Sequence, residues 1–297
     1  RHPPAVLRLR RTYLPAGEGL SPRPPTANLK RVTAPAESET AFRPSWWILA
    51  LVGVIGGVLS GAFGVGGGIL MVPLLIGLAK MNQRQAAATS LLAIVPTAIA
   101  GSATYLIASQ VDVFAALFLG IGGVVGSLYG TRLLKQLPLG VLRWGFIALL
   151  VVVAIRMVLV IPDRSSGHLE PSVLAALGLV AMGLFVGVAS GLFGIGGGVI
   201  AVPALIAVFG LGDLIAKGTS LLFMIPTAVT GSVNNTRNRL VDVRAGLIVG
   251  VAATVASFGG AALAFVMSPA VSSYLFAALL LVSAVQLTVR AIRMRRA

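Results

Sequence analysis

The chain contains no cysteine, so disulfides, thiol catalysis and cysteine-held metal are excluded. Histidine is nearly as scarce. His2 and His168 both fall outside the apolar segments, which excludes a histidine metal site within them. Charge is thin as well: 10% of residues are charged, against about a quarter in ordinary soluble domains. The eight acidic residues (Glu18, Glu37, Glu39, Asp112, Asp163, Glu170, Asp213 and Asp242) are all expected in the N-terminal stretch or in loops. Carboxylates inside a membrane are the usual proton relays and cation sites. Their absence from the apolar core argues against a cation pump. No serine–histidine–acid set and no carboxylate pair lies there either. The expectation is a protein that is not an enzyme and uses no cofactor and no metal.

What the chain has is apolar length. Hydrophobic residues make up 57% of its 297 residues. Apolar runs of about 20 residues, enough to cross a bilayer as helices, recur from Trp46 to Val289. The segments fall near 46–63, 69–79, 86–107, 113–131, 141–161, 172–193, 199–211, 215–235, 244–267 and 270–289. The fold class is therefore all-α, a polytopic integral membrane protein of about eight membrane segments. Residues 1–44 differ in kind. They are basic and proline-rich without an apolar period, and read as a disordered cytoplasmic tail. Residues 45–164 and 165–297 then form two transmembrane repeats. Arg156 is read as the one basic residue well inside an apolar run. It either snorkels outward or offers a positive charge to an anion.

The repeat is exact in register. Phe63–Gly68 reads FGVGGG, and FGIGGG returns 130 residues later at Phe193–Gly198. With the same offset Thr89-Ser90 returns as Thr219-Ser220, Pro96-Thr97 as Pro226-Thr227, and Asp112 as Asp242. The segment after each glycine run is only about half a membrane long as a helix. A duplicated, glycine-broken apolar helix points to a transporter site between two repeats. Loop charge adds orientation. The loop at 108–112 has no Lys or Arg, whereas its partner carries Arg237, Arg239 and Arg244. The loop at 132–143 carries Arg132, Lys135 and Arg143, and its partner at 268–272 carries none. Positive loops stay cytoplasmic, so the two four-segment repeats are expected to have inverted topology with re-entrant first helices. The net charge of +15 is then a matter of topology and anionic lipid, not of nucleic acid.

Glycine triplets between helical pieces leave backbone N–H groups free at the start of the following half-helix, where a partial positive charge also resides. Such ends bind anions. The runs are not nucleotide loops, because no Lys-Ser/Thr follows the last glycine. Gly64, Gly66, Gly67 and Gly68 with Gly194, Gly196, Gly197 and Gly198 are therefore the first candidate site residues. Thr89, Ser90, Pro96, Thr97, Thr219, Ser220, Pro226 and Thr227 are the second set. Each proline is expected to interrupt its helix and free a carbonyl. The hydroxyls either donate to an oxyanion or bond back to their own helix. Asn234 and Asn235 supply amide donors or mark a helix end.

At these residues the chain resembles the TauE/SafE family, the sulfite exporter family of membrane transporters. The doubled F-G-[IV]-G-G-G-x-[IL]-x-V-P segment and the T-S-L-L…P-T-A…G-S segment after it carry the resemblance. It implies an inner-membrane permease for sulfite or related organosulfur anions. The expected partners are a small anionic substrate and the lipid bilayer. The expected mechanism is alternating access with one half rocking on the other. A membrane scaffold, with glycines used only for packing, and a passive anion channel are the rival readings.

Overall fold

A computed structural model describes residues 44–159, 167 and 169–296. The tail expected at 1–44 lies almost wholly outside these residues, as does His168. Within them the chain is all-helical: α1 (Trp46–Phe63), α2 (Gly68–Gly77), α3 (Gln83–Ile107), α4 (Val113–Gln136), α5 (Leu139–Leu159), α6 (Val173–Phe193), α7 (Gly198–Phe209), α8 (Asp213–Arg237), α9 (Val243–Val266) and α10 (Pro269–Arg296). Eight of these are long and apolar enough to cross a membrane; α2 and α7 are the short ones. The bounds of α3, α4 and α5 reappear in α8, α9 and α10 at the same 130-residue offset, except that α10 runs on to Arg296.

Local chemistry sets the ends. Asn82 and Gln85 form a capping box at the start of α3. The twin aspartates Asp112 and Asp242 cap α4 and α9 by accepting from Ala115 N and Ala245 N at 2.8 and 2.9 Å. The expectation that α3 is interrupted at Pro96 needs correcting. It begins at Gln83 and runs through Pro96 to Ile107, as α8 runs through Pro226. A long helix packed on both sides keeps its remaining ladder bonds when one N–H is lost.

Small residues let backbones touch. A methyl group on Gly53, Gly57 or Gly61 of α1 would lie 2.4, 2.2 or 2.1 Å from the carbonyl oxygens of Val249, Ala253 and Ser257 in α9. The ascending order on both helices means that they run in the same sense. α4 meets α6 in the same way, with Gly122, Gly126 and Gly130 on the oxygens of Val180, Leu184 and Val188. This is the close approach that small-xxx-small spacing serves. α3 and α8 instead run in opposite senses. Gly101 faces Leu221 and Gly231 faces Leu91. Thr89 Oγ1 accepts from Asp242 N beyond the end of α8, and Thr219 Oγ1 accepts from Asp112 N beyond the end of α3.

These pairings join helices across the repeats. α1 and α3 pack on α9, α6 and α8 pack on α4, and α3 meets α8 between them. The packed groups are therefore not the sequence halves, and the picture of one half rocking on the other requires revision. α3 also packs in the same sense as α9, with Gly246 on Leu92 and Gly250 on Pro96. Hence α1 and α3 are parallel, and α2 between them must carry the chain back. Met71 of α2 lies against Gly56 of α1, as such a return requires.

Candidate functional site

Each break is built on three left-handed glycines, Gly64, Gly66 and Gly67 in the first and Gly194, Gly196 and Gly197 in the second, a conformation that only glycine enters without strain. Gly64 (φ 68°) closes α1, its N–H donating to Ser60 O, and Gly67 (φ 70°) precedes α2. Gly194 (φ 73°) and Gly197 (φ 91°) repeat this at α6 and α7. The two breaks meet. A methyl on Gly66 or Gly196 would touch the same two side chains, Met224 Sδ at 2.7 and 2.8 Å and Ile94 at 3.2 Å. Ile94 and Met224 are themselves twins, near the midpoints of α3 and α8. A methyl on Gly68 would fall 2.6 Å from Gly194 O, and one on Gly198 2.6 Å from Gly64 O.

Two serines clamp the breaks across the seam. Ser90 Oγ donates to Gly194 O at 2.6 Å, and Ser220 Oγ donates to Gly64 O at 2.8 Å. Ser90 and Ser220 thus belong to the same centre as the glycines. Thr89 and Thr219 are held instead as acceptors for Asp242 N and Asp112 N. Thr97 Oγ1 bonds back to Ala93 O, and Thr227 Oγ1 to Met224 O. Both threonine hydroxyls thus bond to the backbone of their own helices. Pro96 abuts Gly250 of α9, and Pro226 is exposed beside Gly120 of α4. Asn234 donates to Thr131 Oγ1. Asn235 is fully buried, and neither its amide nitrogen nor its oxygen has a partner among the described residues.

The donors left over define the site. Residues 64–69 and 194–199 are all buried. Among the described residues, nothing accepts from the N–H groups of 65–69 or 195–199. Buried N–H groups without partners are rare. Ser60 and Ser190, one turn before the breaks, are 0% exposed and their hydroxyls lack partners too. Ser190 stands beside Gly197, where a methyl would lie 3.5 Å from its Cβ. Neither serine was among the expected site residues, although Ser60 and Ser190 recur at the 130-residue offset, three positions before each FG[IV]GGG run.

Charge also departs from expectation. Asp213 is not in a loop: it opens α8, is 2% exposed, and pairs with Lys217 at 2.8 Å. Lys217, not Arg156, is the buried cation, since Arg156 is exposed on α5. No group of three or more metal-ligating side chains occurs among the described residues.

The chain matches the family described as Sulfite exporter TauE/SafE over residues 7–157 and 179–297. It is 28% identical over 214 residues to the probable membrane transporter protein YunE of Bacillus subtilis, covering 64% of this chain and 78% of that one. A second Bacillus subtilis protein, the probable membrane transporter YdhB, is 25% identical over 198 residues, 66% of this chain and 80% of its own. The probable membrane transporter MJ0441 of Methanocaldococcus jannaschii is 30% identical over 169 residues, 53% and 60% of the two chains. No solved structure matches.

Proposed function

The chain belongs to the sulfite exporter TauE/SafE family of membrane transporters, and from that premise we propose that it carries a small oxyanion of sulfur, sulfite or a sulfonate, bound between the two glycine breaks. The carrying observation is the double set of unpartnered, buried N–H groups at 65–69 and 195–199. They are hard donors at the starts of two half-helices, and suit a compact anion. Ser60 and Ser190 add two hydroxyl donors.

The repeats are oriented oppositely in the plasma membrane, with both termini cytoplasmic and α1–α2 and α6–α7 re-entrant from opposite faces. The opposite senses of α3 and α8 support this. Alternating access is a rocking of the α1–α3–α9 group against the α4–α6–α8 group across the α3–α8 seam. The breaks lie on that seam, so either tilt exposes the anion to one side. The chain has no cysteine, so single cysteines at the twin turn positions Ser109 and Arg239 report orientation directly. They should label from opposite sides of the membrane, and labelling from one side would refute inversion.

For binding, sulfite or methanesulfonate should raise the melting temperature of detergent-solubilised protein, and chloride should not. The double variant Ser60→Ala/Ser190→Ala should fold as well as the parent or better, because it removes two unsatisfied buried hydroxyls. Its affinity for the anion should fall about tenfold or more, the cost of losing a hydrogen bond to a charged group. Flux in proteoliposomes should saturate. Linear flux would make the protein a passive channel, and no stabilisation by either anion would remove the proposal.

A further inference from the structure

The unassigned feature that bears on this site is the buried ion pair beside it. Lys217 Nζ donates to Asp213 Oδ2 at 2.8 Å and to Ser272 Oγ, at the start of α10, at 2.9 Å. Lys217, Asp213 and Ser272 are each 2% exposed. Withdrawing two ions from water is at best roughly repaid by their attraction. In a membrane protein, charges so placed mark function by default.

Folding does not require the pair. The other repeat builds the same corner without it: Gln83 stands at the twin of Asp213, Ala87 at that of Lys217, and Leu142 at that of Ser272. The backbone is placed alike in both. A methyl on Gly64 would lie 2.5 Å from Lys217 Cα, and one on Gly194 would lie 2.4 Å from Ala87 Cα. A neutral corner therefore satisfies the architecture, and the charged one abuts the first break.

Among the described residues, few other titratable groups surround it. Tyr105 of α3 faces it, with its hydroxyl donating to Gly61 O at 2.8 Å. Asp112, between α3 and α4, bonds through its N–H to Thr219 and through its carboxylate to Ala115 N and Leu169 N. Glu170, next to Leu169, is exposed. α1, α9 and α10 contribute Gly61, Phe265 and Ser272 here, none of them titratable.

We propose that Asp213 and Lys217 form the proton-coupling site of transport; this rests on the anion-carrier reading above. When an anion occupies the first break, Asp213 binds one proton at its carboxylate and its bond to Lys217 breaks. Lys217, whose Cα already touches Gly64, turns its ammonium toward the anion. The two side chains together start as one carboxylate and one ammonium. They end as one carboxylic acid and one ammonium beside one singly charged anion, so their summed charge with the anion stays zero. One proton thus crosses with each negative charge, and release on the far side reverses both steps.

Infrared difference spectra of the full-length protein in liposomes test the protonation. Adding sulfite or methanesulfonate at pH 7 should raise a carboxylic-acid carbonyl band that Asp213→Asn lacks. With the membrane potential clamped, a gradient of about one pH unit should drive about tenfold accumulation of methanesulfonate, and Asp213→Asn should show none. Should that variant not fold, Asp213→Gln/Lys217→Ala places the twin corner's Gln83 and Ala87 side chains here, and should fold with neither band nor accumulation. Anion binding without the band, or accumulation by either variant, overturns the coupling role and leaves the carrier reading intact. A wild-type protein that neither binds nor moves either probe overturns both.

Discussion

Gly67→Leu is expected to leave almost no folded protein, measured as monodisperse yield after detergent extraction. Gly67 sits at φ 70°, a conformation that costs a leucine about 1–3 kcal/mol. Its Cβ would lie 2.2 Å from Gly56 O and 2.8 Å from the same residue's carbonyl carbon. Those atoms belong to the backbone of α1 and cannot swing aside. Overpacking adds about 1–3 kcal/mol more, and the sum reaches the lower end of a typical domain's stability of about 5–15 kcal/mol. Gly259→Ala is the control. It lies within α9, and nothing stands within 4 Å of the new methyl. That change should be neutral or gain about 0.5–1 kcal/mol from helix propensity. Equal yields from the two variants would mean that the break is not built as described. Flux measurements on Gly67→Leu would therefore report folding, which is why the anion test rests on Ser60 and Ser190.

Lys217→Met alone should destabilise by about 3–5 kcal/mol, because it strands a carboxylate that is 2% exposed. Adding Asp213→Asn should recover most of that loss, since a neutral pair of similar volume costs little. Thermal melts of the two variants give the comparison. A single variant as stable as the double one would show that Asp213 reaches water or another cation once Lys217 is gone.

Much of the helical layout was legible because it follows from local chemistry. Apolar length defined the spans, and the ends of α1, α3 through α6, α8 and α9 fall within a few residues of the expected segments. The glycine breaks were legible because three adjacent glycines in an apolar run have few other uses. The roles of Thr97 and Thr227 were not. A threonine after a helical proline serves its own helix or a ligand equally well, and only the packing around it decides. Asp213 was misplaced for a related reason. It lies at a helix start, where sequence alone reads solvent. Ser272 of α10 closes over its partner Lys217.

By itself the sequence determined that this is a helical membrane protein of two ungapped repeats, each broken once by glycine. Those properties rest on hydropathy, on composition and on a fixed 130-residue offset, none of which depends on distant contacts. Tertiary structure alone decided that α1 packs on α9 and α6 on α4. It also decided that the breaks meet at Ile94 and Met224, and that one corner holds a buried ion pair while its twin stays neutral. The physical reason is that a backbone approach of this kind, and the burial of a charge, are set by what arrives from elsewhere in the chain.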